Sequence, residues 1–199
     1  MNFCWRLDLS YKGERDYLHG SDIVPELLKK VGKVESVVFQ FHRIIKHPIK
    51  AFYVDEQNLN SFRRENKVCA IVSFLSIKSA KRKIIALMED EDMEVTSRQN
   101  YDENEVVSSS IFIGQIITQR CGHKFSFFER IVALNKKLLN EITGKSEWLF
   151  VRLDLERYPL DPDSINIEFI SEIGGSIFKS NVSSNGTILG SIFFSPRVL

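Results

Sequence analysis

The chain has 199 residues, 43% hydrophobic and 27% charged, and 27 Lys and Arg against 26 Asp and Glu leave a net charge of +1. That length allows one or two domains with a sizeable core. The balance excludes a disordered chain and the large positive surplus that non-specific nucleic-acid binding requires.

Membrane and metal classes fall away next. The first eight residues show no apolar signal region, and the uncharged stretch Val106 to Gln119 is too short to span a bilayer. Cys4, Cys69 and Cys121 are odd in number, far apart and without zinc-ligand spacing. They fit a reducing, cytoplasmic setting with no disulfide frame.

In chain order, residues Phe3 to Ser10 alternate as a strand, and Tyr11 to Gly20 read as a polar loop. Ser21 or Asp22 is placed to cap a helix whose apolar stripe is Ile23, Val24, Leu27, Leu28 and Val31. Pro25 is tolerable in a first turn, and Gly32 supplies the stop. Strands are predicted at Glu35–Ile45, Ile49–Asp55, Lys67–Ser76 and Lys81–Met88, which are rich in branched and aromatic residues. Residues 90–105 are acidic and nearly free of core residues, which suits a solvated connector.

The same grammar then repeats. A strand is predicted at Val106–Thr118. Ser126-Phe127-Phe128-Glu129 is a capping box opening a strongly apolar helix that Thr143-Gly144 closes. Strands follow at Glu147–Arg157, Ile165–Ile170, Ser176–Val182 and Thr187–Phe194. Gly174-Gly175 and Asn185-Gly186 are hairpin signals, because both central positions need positive φ.

A shift of 111 residues lays Leu27–Val31 on Leu138–Ile142, Phe39 on Phe150 and Pro48 on Pro159 without a gap. The tetrapeptide Arg6-Leu7-Asp8-Leu9 also recurs as Arg152 to Leu155. That match would set a strand before one helix against a strand after the other, so the shift of 111 is preferred. The expected domains are residues 1–89, the acidic linker 90–105, and residues 106–199. The fold class is α+β, in two units of one central helix each wrapped by a curved antiparallel sheet.

A helix swathed by an antiparallel sheet, present twice, resembles a tandem or double hot-dog protein over nearly the whole chain. The resemblance implies binding of acyl thioesters of coenzyme A or acyl carrier protein, by a dehydratase- or thioesterase-like protein of fatty-acid or polyketide metabolism. No cofactor and no metal are expected. Units of this family pair with helices side by side; the two halves would supply that pair, and a homo-oligomer stays open. Dehydratases of the family carry a histidine before the helix and an acidic residue on the partner helix. Here the loop Tyr17-Leu18-His19-Gly20-Ser21-Asp22-Ile23-Val24-Pro25 has a His-Gly and a later proline, and the second loop has Cys121-Gly122-His123. The full signature, His-Phe-Pro-Gly followed by a second Pro-Gly, is absent.

Those residues suit the chemistry. A helix start offers unpaired N–H groups and partial positive charge to a thioester carbonyl. A histidine beside it can act as base near neutral pH, and a carboxylate can orient it or protonate a leaving group. His19 with Glu129 is the first candidate pair, and His123 with Asp22 or Glu26 the second. Against this, Glu129 has work in the capping box and Asp22 can itself cap. Tyr17 can donate to a carbonyl oxygen or simply pack, and Gly20 lies at the substrate's approach. Asn135 interrupts the apolar face between Phe128, Ile131, Leu138 and Leu139, and needs a ligand, a water or a backbone partner. An edge position with a structural hydrogen bond is the preferred account of it.

Lys78, Lys81, Arg82 and Lys83, with Lys29, Lys30 and Lys33, form a basic cluster that could dock an acidic carrier or remain a solvated tip. RNA binding through that tip meets the near-zero net charge. His42 and His47 are spaced onto opposite faces of a strand and make a poor metal pair. The competing reading is a non-enzymatic interaction protein, such as an immunity or adaptor protein, in keeping with the incomplete signature.

Overall fold

The computed structural model describes residues 2–120, 124–144, 147–159 and 162–197, with side chains from Trp5 onward. The chain divides into two compact units, 1–101 and 102–199.

The first unit runs β1 (Asn2–Leu7), β2 (Tyr11–Lys12), α1 (Gly20–Val31), β3 (Val34–Phe41), β4 (Ile49–Val54), a 3-10 turn at Glu56–Asn58, α2 (Leu59–Glu65), β5 (Val68–Ser76), β6 (Arg82–Glu89) and β7 (Arg98–Gln99). Its antiparallel sheet has the order β1-β4-β6-β5-β3. Alternating directions make β1 parallel to β3, joined through α1, and β4 parallel to β5, joined through α2. Both connections move the same way across the sheet, from strands of opposite direction. Right-handed crossovers therefore place the two helices on opposite faces.

The register agrees. Phe52 faces Ala86 and Val54 faces Ile84. Phe52, Val54, Ala86 and Phe62 of α2 form one small core with Leu59, Val68 and Met88. Ala51, Val72, Ile85 and Leu87, all fully buried, are left for the face that α1 covers with Ile23, Val24 and Leu27.

The second unit runs α3 (Glu103–Val107), β8 (Ser110–Ile113), β9 (Ile116–Arg120), α4 (Phe127–Thr143), β10 (Trp148–Leu155), β11 (Ser164–Ile173), β12 (Ile177–Ser184) and β13 (Thr187–Pro196). Its sheet has the order β8-β9-β11-β12-β13-β10. Ile117, Ile167 and Val182 share one buried row, and Phe178, Phe194 and Phe150 another.

Both units thus run strand, helix, then four strands, and the shift of 111 matches α1 and β3 with α4 and β10. They differ afterwards. Numbered within each unit from the strand before the helix, the first is ordered 1-3-5-4-2 and the second 1-3-4-5-2. The last two strands exchange places because the first unit leaves β4 through α2 and skips a position, whereas the second turns directly at Gly174-Gly175. Those glycines have φ of 59° and 71°, and Asn185-Gly186 has φ of 50° and 74°, as the hairpin reading requires.

Several local expectations need correction. The N-cap of α1 is His19, not Ser21 or Asp22, and Pro25 lies inside the helix rather than in its first turn. The helix α2 was not foreseen, since only Leu59 and Phe62 give it an apolar side. The strand expected at 106–118 is a short helix followed by a hairpin, because Asp102 accepts from Asn104 N at 2.9 Å and Gly114, with φ 61°, turns the chain. The first predicted strand after α1 stops at Phe41.

The acidic stretch is held rather than free along its first part. Asp90, 2% exposed, is gripped by Arg6 at 2.6 Å and Lys50 at 2.7 Å. β7 pairs in parallel with β2.

Candidate functional site at the start of helix α1

The loop before α1 is shaped by three anchors. Gly13 takes φ 54° and its N–H bonds Gln99 O at 3.0 Å. Arg98 donates to the carbonyls of Gly13 and Arg15. Leu18 N–H reaches Ile45 O at 2.7 Å. So held, β2 turns the Lys12 side chain inward, where the residue is only 2% exposed.

A buried lysine requires a counter-charge. Lys12 Nζ lies 2.6 Å from Asp22 Oδ1 and 4.4 Å from the centre of the Tyr101 ring, whose π face favours a cation. Arg15 approaches the same ring at 5.6 Å.

His19 completes the cluster. It is 3% exposed, and its carbonyl accepts from Asp22 N at 2.9 Å and Ile23 N at 3.3 Å, so its backbone caps α1. Its Nδ1 is 2.7 Å from Ser21 Oγ, and Ser21 is 1% exposed. The rings of Tyr17 and Tyr101 each lie 6.4 Å from the imidazole centre. Gly20 and Ser21 lead the helix, where N–H groups have no carbonyl one turn back.

His19, Gly20, Asp22 and Tyr17 are therefore brought together by one loop and one helix start. Asp22 is committed to Lys12. The sequence offers Ser21 only as a cap and does not single out Lys12 or Tyr101. Tyr101 sat in a stretch assigned to the connector and Lys12 in a polar loop; the one signal available was Gly13 beside Lys12, marking a turn.

Glu129 belongs to the second unit, on α4. The capping box is formed: Glu129 Oε2 accepts from Ser126 N at 2.9 Å and from Ser126 Oγ at 2.8 Å, while Glu129 N donates to Ser126 Oγ at 3.2 Å. His123 lies outside the described residues.

Asn135 is the exception among buried amides. It is fully buried, and neither Oδ1 nor Nδ2 has a hydrogen-bond partner among the described residues. The expected edge position with a structural hydrogen bond is therefore not what the helix provides. Buried α4 polar groups elsewhere are answered: Arg130 Nε donates to Gln119 Oε1 at 2.9 Å, and Lys136 pairs with Glu103 at 3.1 Å.

Other candidates are inert. Burial pushes the Cys69 thiol up to about 12, and it donates to Leu87 O at 3.0 Å, so it is no nucleophile near neutral pH. His47 Nδ1 is 3.0 Å from Met93 O, and no group of three or more metal-type side chains occurs among the described residues. No described helix is long and apolar enough to cross a membrane.

Comparisons with known proteins follow the chain path alone. No protein-family model matches the sequence, and no curated protein matches it. Among solved structures, the chain is similar to an acyl-ACP thioesterase from Bacteroides thetaiotaomicron VPI-5482, at 8% identity, 96% of each chain covered and a TM-score of 0.46. It is also similar to a 12:0-ACP thioesterase from Umbellularia californica, at 9% identity, 97% and 96% covered, TM-score 0.47. A third is the dehydratase domain of PpsC from Mycobacterium tuberculosis in complex with C12:1-CoA, at 8% identity, 91% and 85% covered, TM-score 0.47. Similarity at this level assigns no residue a role. The functional reading is drawn from the side chains above.

Proposed function

We propose that the chain is an acyl-thioester protein of the hot-dog kind, built from two related helix-on-sheet modules. It binds the acyl group of an acyl-carrier-protein or coenzyme-A thioester and processes it with His19 as base. The observation that carries this reading is the buried imidazole at the N-cap of α1, with Nδ1 held by Ser21 at 2.7 Å. With Nδ1–H donated to Ser21 Oγ, Nε2 is the nitrogen proposed to take the proton.

In hydrolysis, His19 takes a proton from the attacking water as the C–O bond forms. The N–H groups of Gly20 and Ser21 receive the developing oxyanion. Collapse breaks the C–S bond, and the thiolate leaves with the proton from the imidazolium. In dehydration the same base removes the α-proton and, as the imidazolium, delivers it to the departing hydroxyl. Asp22, neutralised by Lys12, holds the helix start in place and is not the proton donor.

The test is thiol release and dehydration measured with acyl-coenzyme-A and acyl-carrier substrates. His19→Ala is expected to lower kcat by about a hundredfold or more. Full activity in that variant removes His19 from the chemistry.

A second reading, a non-enzymatic interaction module, is favoured by the exposed isoleucines of the second unit. Ile111, Ile113, Ile116, Ile170 and Ile173 are between 40% and 74% exposed. Absence of turnover and of thioester binding, with a stoichiometric protein partner, would select it.

A further inference from the structure

The α2 crossover, present in the first unit alone, creates a cavity of about 540 Å3 on the sheet face opposite α1. Cavities of roughly 300–1,000 Å3 are the size that takes small molecules. Its floor is apolar, from Val54, Phe62 and Ile84, each 8–9% exposed.

Its walls carry both signs of charge. On β6 stands Arg82, whose guanidinium is held by Ser73 Oγ at 3.0 Å; Lys83 also lines the cavity, but it alternates to the other side of β6, with its Nζ 5.6 Å from the Tyr53 ring. On the end of β4, the 3-10 turn and α2 stand Asp55, Glu56 and Glu65. None of these three carboxylates has an ion pair or a side-chain hydrogen bond among the described residues, although two cations line the same cavity. Elsewhere in this unit facing charges do close on each other, as Lys46 does on Asp16 at 2.7 Å and Lys67 on Glu91 at 3.1 Å.

A ligand with one charge answers one wall and meets repulsion from the other. We propose that this cavity binds a small zwitterion whose carboxylate meets Arg82, whose ammonium meets Asp55, Glu56 and Glu65, and whose apolar chain lies on Val54, Phe62 and Ile84. The site is separate from His19 and does not depend on the thioester reading.

The test is a titration of the isotope-labelled chain, followed through its backbone amide spectrum, with ε-aminocaproate, caproate and hexylamine. The zwitterion is expected to shift the amides of residues 53–65 and 82–84 saturably, at least about tenfold more tightly than either single-charge analogue. Arg82→Glu and Glu65→Lys should each abolish the response while the rest of the spectrum is retained, and the double exchange should recover part of it. Absence of a saturable shift, equal affinity for the three compounds, or indifference to both substitutions would overturn the proposal. Thioester turnover is not read in this experiment, so its failure leaves the proposed function standing, and the reverse holds.

Discussion

His19 Nδ1 and Ser21 Oγ lie 2.7 Å apart, and both residues are at most 3% exposed. In that setting solvent weakens the contact between hydroxyl and imidazole little. Ser21 is thus a positioning residue for the proposed base. Ser21→Ala should lower kcat about tenfold with KM little changed and move the pH profile of kcat, the loss of one hydrogen bond amounting to about 1 kcal/mol. Ser21→Thr, which keeps the hydroxyl, should recover most of the rate. Kinetics across pH check this, and an unmoved profile in the alanine variant contradicts it.

Asn135 offers an opposite pairing of stability and function. Its amide is fully buried without a hydrogen-bond partner among the described residues, so Asn135→Leu should raise stability by about 1–3 kcal/mol in denaturant titration. With the amide proposed as a substrate-binding group, the same substitution should weaken acyl-thioester binding. A loss of stability would mean that the amide is already satisfied.

Gly190 is required by space. A Cβ there would sit 1.9 Å from Asp154 O and 2.8 Å from Leu155 Cα, both backbone, at a φ of 153°. Backbone cannot swing aside as a side chain can, so Gly190→Ala should cost about 3 kcal/mol or more and part β13 from β10. Thermal unfolding measures it; a change under about 0.5 kcal/mol would contradict the geometry.

Asp90 sets an acid limit. The hydrogen bond from Lys50, with the charges of Lys50 and Arg6, holds its carboxyl below the ordinary carboxylate range. A group whose folded pKa is depressed contributes stability that is fully present above its unfolded value, about 3.9, and lost as pH falls through the folded value. Unfolding free energy followed from neutral pH downward should therefore drop below about pH 4 in the wild type, and less steeply in Asp90→Asn. Parallel curves would show that the ion pairs carry none of this dependence.

Much of the fold was legible because periodicity and caps are local. The capping box of Ser126 and Glu129, the stop at Gly144 and both glycine hairpins were read from neighbours a few residues apart, and all are present. What escaped depends on distant partners. The exchange of the last two strands follows from α2 anchoring Phe62 on Phe52 and Ala86, which no window of adjacent residues reveals. The cap of α1 went to His19 because its backbone accepts from Asp22 and Ile23, leaving Ser21 for the imidazole and Asp22 for Lys12. Lys12 and Tyr101 meet only because β2 pairs with β7, about ninety residues later.

The most direct measurement is a co-crystal structure with a non-hydrolysable acyl-coenzyme-A analogue. The account predicts the thioester-mimicking carbonyl at the start of α1, with its oxygen on the N–H groups of Gly20 and Ser21 and its reacting carbon beside His19 Nε2. An analogue that does not bind, or binds with its carbonyl away from that helix start, would contradict it.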